Sequence, residues 1–173
     1  MGLDTPLVIR EAATGDAGAV LNVHRAVLEE RDFFITLPNE FGGNVYGVVQ
    51  RIREATKHPS SLFLVAELDG EVKGFLTVTG GMLSRMRHTG KLEIMIDRRA
   101  RGHGLGRALM QACMQWARNN PSIEKLGLSV FTSNERALQL YQDMGFEEEG
   151  RRVREYKMRD GTYRDDILMY CFV

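Results

Sequence analysis

A chain of 173 residues with 43% hydrophobic content can bury the core of one globular domain. Its 23 basic and 23 acidic residues cancel, so no net field draws it to nucleic acid or an anionic membrane, and any anion site must be local. No apolar run approaches the ~20 residues of a membrane span, and the first residues lack the basic-then-apolar pattern of a signal peptide. Cys113 and Cys171 form neither a CxxC nor a disulfide framework and read as small buried apolar residues. Together these features place the protein in the cytoplasm. Gly2 is discounted as a myristoylation site.

Residues 7–10 read as a short strand. Thr14 is placed to cap the next helix, with Asp16 complementing the dipole in its first turn. Val20, Val23 and Val27 set the core stripe of that helix, which should run to about Arg31. His24 lies beside the stripe and is assigned no role. Residues 32–43 form a turn-rich connection with three phenylalanines, which either pack into the core or wall a substrate pocket. A second helix spans residues 45–58 and stops at Pro59. Two strands, 61–68 and 71–78, flank the turn pair Asp69-Gly70, and Gly80-Gly81 ends the second. A basic loop, MLSRMRHTG, leads into a strand at 91–97. A glycine-rich turn follows, then a helix over 105–120 stopped by Pro121.

Residues 125–131 form the next strand. Thr132 with Glu135 reads as a capping box for a helix through Met144, whose inner face carries Ala137, Leu140, Tyr141 and Met144. Gly145 closes that helix in a left-handed conformation. Two long strands, 146–158 and 163–173, meet through Asp160-Gly161. The segment ILMYCFV is apolar on both faces, which puts the last strand inside the sheet. The order β-α-α-β-β-β-α-β-α-β-β, without repeats or linkers, describes one α+β domain over residues 1–173.

The stretch EIMIDRRARGHGLGR, from Glu93 to Arg107, carries the chemistry. Glycines bring backbone N–H groups close to a ligand, and the helix that opens after them adds partial positive charge, so the turn suits a phosphate. Side-chain donors for phosphate oxygens are expected from Arg101, Arg107 and His103. Neither the G-x-G-x-x-G dinucleotide fingerprint nor the G-x-x-x-x-G-K-[ST] P-loop fits Gly102, Gly104 and Gly106 in this element order. What remains is Arg101-x-x-Gly104-x-Gly106 between a strand and an amphipathic helix.

That pattern resembles the acetyl-CoA signature of the GNAT superfamily of N-acetyltransferases, [RQ]-x-x-G-x-[GA]. Asn134, Ala137, Leu140, Tyr141, Gly145 and Phe146 match a second signature of the same family, N-x-x-A-x-x-L-Y-x-x-x-G-F. The resemblance covers essentially the whole chain. It implies a mixed, mostly antiparallel sheet of about six to seven strands flanked by helices, with acetyl-CoA as cosubstrate and no metal. It also implies cofactor contacts from the turn 101–107 (Arg101, Gly102, His103, Gly104, Leu105, Gly106 and Arg107), from Asn134, and from the backbone of Met95 and Ile96, against which the pantetheine arm pairs where two strands splay. Asn134 is equally suited to capping a helix.

Tyr141 is the candidate acid, because a phenol with a pKa near 10 is protonated at neutral pH and can meet a departing thiolate. Glu93 is the candidate base. An amine with a pKa near 10.4 is neutral in only about one molecule in 10³ at pH 7, so a proton must be taken. By strand alternation Glu93 shares a face with Met95, opposite Leu92, Ile94 and Ile96; the alternative is that it merely pairs with Lys91 or an arginine. Acidic residues in the 29–40 segment and the final hairpin would suit a cationic acceptor such as a polyamine, although charge runs are commonly solvated faces. The resemblance leaves the acceptor as a small-molecule amine or a peptide N-terminus, and a homodimer is common in the family. Two rivals are a non-catalytic acyl-CoA-binding sensor, which would need neither Tyr141 nor Glu93, and a nucleic-acid binder using Arg85, Arg87, His88 and Arg98 to Arg101.

Overall fold

Seven strands and four helices assemble in the computed structural model, which describes residues 6–173; Gly2 and the start of the chain lie outside the described residues. The strands are β1 (Leu7–Glu11), β2 (Leu62–Leu68), β3 (Glu71–Gly80), β4 (Thr89–Ile96), β5 (Lys125–Phe131), β6 (Glu147–Lys157) and β7 (Tyr163–Phe172). The helices are α1 (Ala17–Glu29), α2 (Val45–Lys57), α3 (Leu105–Asn119) and α4 (Glu135–Asp143). The sheet order is β1-β2-β3-β4-β5-β7-β6, antiparallel throughout except for the β4–β5 pair. This is the mixed α+β architecture expected. No helix among the described residues is long and apolar enough to cross a membrane.

Strand alternation divides the core in two. Leu64, Leu76, Leu92, Leu126 and Leu128 face α3 and α4. Phe63, Val65, Phe75 and Met95 face α1 and α2. Both faces of β2 and β3 are therefore covered, and these strands read as continuous apolar runs. Val20, Val23 and Val27 of α1 are buried as their spacing predicts, and so is Cys113 of α3.

Three local expectations need correction. Thr14 does not cap α1. It opens a short 3-10 turn, and the Asp16 carboxylate does the work, accepting from the Ala13 N–H (2.7 Å) and from both terminal nitrogens of Arg10 (2.7 and 2.8 Å). Thr132 does not cap α4, because its own N–H still bonds Asp165 across the sheet (3.2 Å); Asn134 caps instead, accepting from the Ala137 N–H at 3.2 Å. The last strand does lie inside the sheet, between β5 and β6, yet the face opposite Ile167 and Met169 is left open at its C-terminal end. Ile167 and Met169 are buried beneath α3 and α4, while Phe172 on the other face is 71% exposed. Helices α1 and α2 lie over β2, β3 and β4 and leave that end open.

Candidate active site

The parallel β4–β5 ladder is three residue pairs long, Thr89 to Lys91 against Lys125 to Gly127. Beyond it β4 stays paired with β3 and β5 with β7, so the two strands diverge and open a cleft of about 1450 Å³. Backbone parity decides which groups of β4 face the gap. The Asp97 N–H donates to Lys73 on the β3 side (2.9 Å), and the Lys125 N–H at the start of β5 donates to the carbonyl of His88 (3.1 Å). Odd-numbered residues of β4 thus turn their backbone to β3, and Leu92, Ile94 and Ile96 turn theirs to the gap. Met95 is corrected on this ground: its backbone serves β3 and its side chain is buried among the α1–α2 core residues.

The turn after β4 is held by internal bonds. The Asp97 carboxylate accepts from the Arg99 N–H (3.0 Å), and Ala100 is buried. Gly102 and Gly104 adopt left-handed φ angles of 92° and 82°, which an L side chain pays about 1–2 kcal/mol to enter. The buried Leu105 then pins the start of α3. The first in-register helical bond is Ala108 N–H to the Gly104 carbonyl, so the N–H groups of Leu105, Gly106 and Arg107 have no preceding carbonyl to bond and sit at the cleft wall. A Cβ at Gly106 would lie 3.2 Å from both Ile96 Cδ1 and Leu140 Cδ2, so glycine lets α3 pack closely against β4 and α4.

The arginines behave differently from expectation. The Arg101 guanidinium is bonded within the protein. Two of its nitrogens grip the two carboxylate oxygens of Glu30 (2.7 and 2.6 Å), and Nε and a terminal nitrogen donate to the Ile96 carbonyl (3.2 and 3.0 Å). The residue ties the turn to the end of α1. Arg107 bridges to Asp143 of α4 (2.6 Å) and stays half-exposed with donors to spare. His103 is exposed, with Nδ1 3.2 Å from the Ala100 carbonyl.

Tyr141 and Glu93 come to the same cleft from opposite sides of the gap. Tyr141 is 7% exposed, and desolvation, with a smaller contribution from the Glu93 charge, raises its pKa well above that of a free phenol. Its hydroxyl has no hydrogen-bond partner among the described residues and no buried polar side-chain atom is left unsatisfied, so the hydroxyl opens on the cleft. Glu93 makes one long ion pair, Oε2 to a terminal nitrogen of Arg51 at 3.4 Å. Asn134 lines the cleft, its Oδ1 spent on the helix cap and its Nδ2 available.

Three cleft residues escaped the sequence reading. Arg51 projects from α2 toward β4. His24 stacks on Phe41, with centroids 4.3 Å apart, and desolvation lowers its pKa, which favours a neutral ring at pH 7. Asp166 is 1% exposed, with Arg152 and the Tyr156 hydroxyl each at 3.4 Å; desolvation raises its pKa. Helical periodicity set His24 beside a buried stripe, but nothing local in the sequence marks what His24 or Arg51 meets across the fold.

The cleft, the strand-to-helix turn and the tyrosine-bearing helix define an acyltransferase site, and comparison with known proteins identifies its family. Residues 28–146 match the acetyltransferase (GNAT) family. The chain is 30% identical over 163 residues to an L-amino acid N-acetyltransferase of Escherichia coli K12, spanning 94% of this chain and 96% of that protein. A GNAT acetyltransferase of Streptococcus pneumoniae superposes with a TM-score of 0.91 at 30% identity, over 97% of this chain and all of the other. A Salmonella typhimurium acetyltransferase solved with acetyl-CoA shares the fold at a TM-score of 0.82 and 20% identity, covering 96% of this chain and 93% of that one. The chain belongs to the GNAT family and is an acetyl-CoA-dependent N-acetyltransferase acting on an amine. Its residues fit the cosubstrate: unpaired N–H groups at the start of α3 suit the pyrophosphate, and the gap-facing backbone of β4 offers an edge to an amide-bearing arm.

Proposed function

We propose that residues 1–173 form a single acetyltransferase domain in which the acceptor amine attacks acetyl-CoA directly, with Glu93 as base and Tyr141 as acid. The amine nitrogen attacks the thioester carbonyl and the C–S bond breaks. Glu93 takes the proton that the nitrogen loses, and the Tyr141 hydroxyl donates one to the departing sulfur. The observation that carries this reading is the placement of both groups on one cleft, at the point where β4 leaves β5. Burial keeps the phenol protonated, so it stands as a hydrogen-bond and proton donor to the charge that develops on sulfur.

For the cosubstrate, we assign the turn 102–107 to the pyrophosphate, through the N–H groups of Leu105, Gly106 and Arg107, with the half-exposed Arg107 and His103 as flanking donors. The Ile96 N–H and the free Nδ2 of Asn134 are assigned to the pantetheine arm, and Arg101, which occupies the Ile96 carbonyl, is a positioning residue. Tyr141→Phe should lower kcat by about 10²–10⁴-fold with little change in the KM for acetyl-CoA, read by release of free thiol against a panel of amines. Wild-type turnover in that variant removes the acid assignment. Acetyl-CoA binding without thiol release for any amine or peptide would instead favour the sensor reading.

Two further readings rest on composition and surface. Balanced charge and two unpaired cysteines support a cytoplasmic location. The exposed Phe172 and Val153 at the open end of the sheet support a homodimer, which sedimentation velocity tests directly.

A further inference from the structure

The acceptor half of the cleft holds an ion pair that is conspicuously loose. Arg51 reaches Glu93 with one nitrogen at 3.4 Å, makes no second bond to it, and both side chains remain 41% exposed. The Arg101–Glu30 pair shows what a closed arrangement looks like in the same molecule, with two bonds at 2.6 and 2.7 Å. Arg51 is nonetheless held in place, its guanidinium lying over the Phe63 ring at 5.8 Å from the centroid. A guanidinium carries five N–H donors in a planar fork, and here most of them are unspent beside the carboxylate assigned to the base.

We infer that Arg51 anchors the α-carboxylate of a free amino acid, which inserts into the Arg51–Glu93 pair with its amine on Glu93. The inference rests on the assignment of Glu93 made above. An α-amino acid carries opposite charges on a single carbon, so it replaces one long ion pair by two short ones without burying an unpaired charge. A polyamine offers Arg51 no acceptor and brings a second cation toward it. A peptide N-terminus presents a neutral amide carbonyl where the carboxylate would be. The neutral His24 ring adds no competing positive charge beside the arriving ammonium.

Phe33, Phe34 and Phe41 from the segment between α1 and α2 line the cleft, and Phe41 stacks on His24. They offer an apolar wall, so the acceptor is an amino acid with an apolar side chain. Glu30, one of the acids near this segment, is committed to Arg101 and is not free to hold a polycation. Lys91, on the same strand as Glu93, is another cation lining the cleft, and it serves as the control.

The test measures thiol release at saturating acetyl-CoA with L-leucine, L-leucinamide, 3-methylbutylamine, spermidine and a leucine-initiated tripeptide. Wild type should favour L-leucine over L-leucinamide by about 10–100-fold in kcat/KM, the range for a hydrogen-bonded charge. Arg51→Gln should lose that acid-over-amide factor, through the KM for L-leucine, with the acetyl-CoA KM unchanged, Arg51→Lys should fall between, and Lys91→Ala should keep the preference. Calorimetric binding of L-leucine to the CoA-bound protein should fall in step. Equal loss on acid and amide in Arg51→Gln, or a wild-type preference for spermidine or the tripeptide, overturns the inference. Glu93→Gln separates the two assignments: L-leucine turnover that survives it removes Glu93 as the base, whereas the Arg51 anchor falls if the preference for L-leucine over L-leucinamide in calorimetric binding is absent from both that variant and wild type.

Discussion

The grip of Arg101 on Glu30 yields a sharp test of how the phosphate turn is built. If the guanidinium is a strut, removing either partner should do the same damage. The side chains are 25% and 11% exposed, between the surface case, where a pair contributes about 0–1 kcal/mol, and the buried case, where breaking one costs about 3–5 kcal/mol. Arg101→Ala and Glu30→Ala should each cost about 2 kcal/mol in urea unfolding, with a double-mutant coupling of about 1–2 kcal/mol. For a chain of this size that lowers Tm by about 4–8 °C. Both variants also release the turn between β4 and α3, so both should weaken acetyl-CoA binding by calorimetry, by about tenfold and to the same extent. The reasoning is refuted if Arg101→Ala weakens acetyl-CoA while Glu30→Ala leaves it untouched. That pattern would mean the guanidinium reaches a phosphate when ligand is bound.

Gly104→Ala places an L side chain at φ 82° with open space around it, so it should cost about 1–2 kcal/mol from backbone strain alone; a loss near zero by urea titration would show that the turn relaxes. Asn134→Ala removes the α4 cap and should cost about 1 kcal/mol, and a drop in acetyl-CoA affinity beyond what a Ser replacement shows would reveal the contact assigned to Nδ2. Asp166 has a folded-state pKa raised by desolvation, so its contribution to stability is full below the unfolded value near 3.9 and is lost as pH rises through the folded value. Asp166→Asn should therefore erase that decline and leave the protein at least as stable at pH 7; a clear loss at pH 7 in thermal melts would show that the contact with Arg152 outweighs burial.

Much of the fold was legible because local signals agreed. Strand limits at Asp69-Gly70 and Gly145, and the helix stop before Pro121, each follow from backbone preferences acting within a few residues. The site was legible where it depends on the same short-range logic, as with the glycines that bring α3 up to β4. It failed wherever a long-range partner decides the role. Glu30 is 71 residues from Arg101, and nothing near either residue announces the other. Side-chain alternation separates Met95 from Ile96, but which of the two backbones faces the gap is a matter of register against β3. Asp166 reads as one more acid in a charged hairpin, and only the packing of β6 on β7 buries it.

The short ladder between β4 and β5 has a mechanical consequence. With three residue pairs joining them, the sheet behaves as two panels, β1 to β4 and β5-β7-β6, that share few backbone bonds. A cosubstrate arm laid along the gap would stitch the panels together as a temporary strand. Amide hydrogens on β5 and on the gap-facing side of β4 should then exchange more slowly when acetyl-CoA is present, and the stiffness of the sheet becomes a quantity set by ligand concentration.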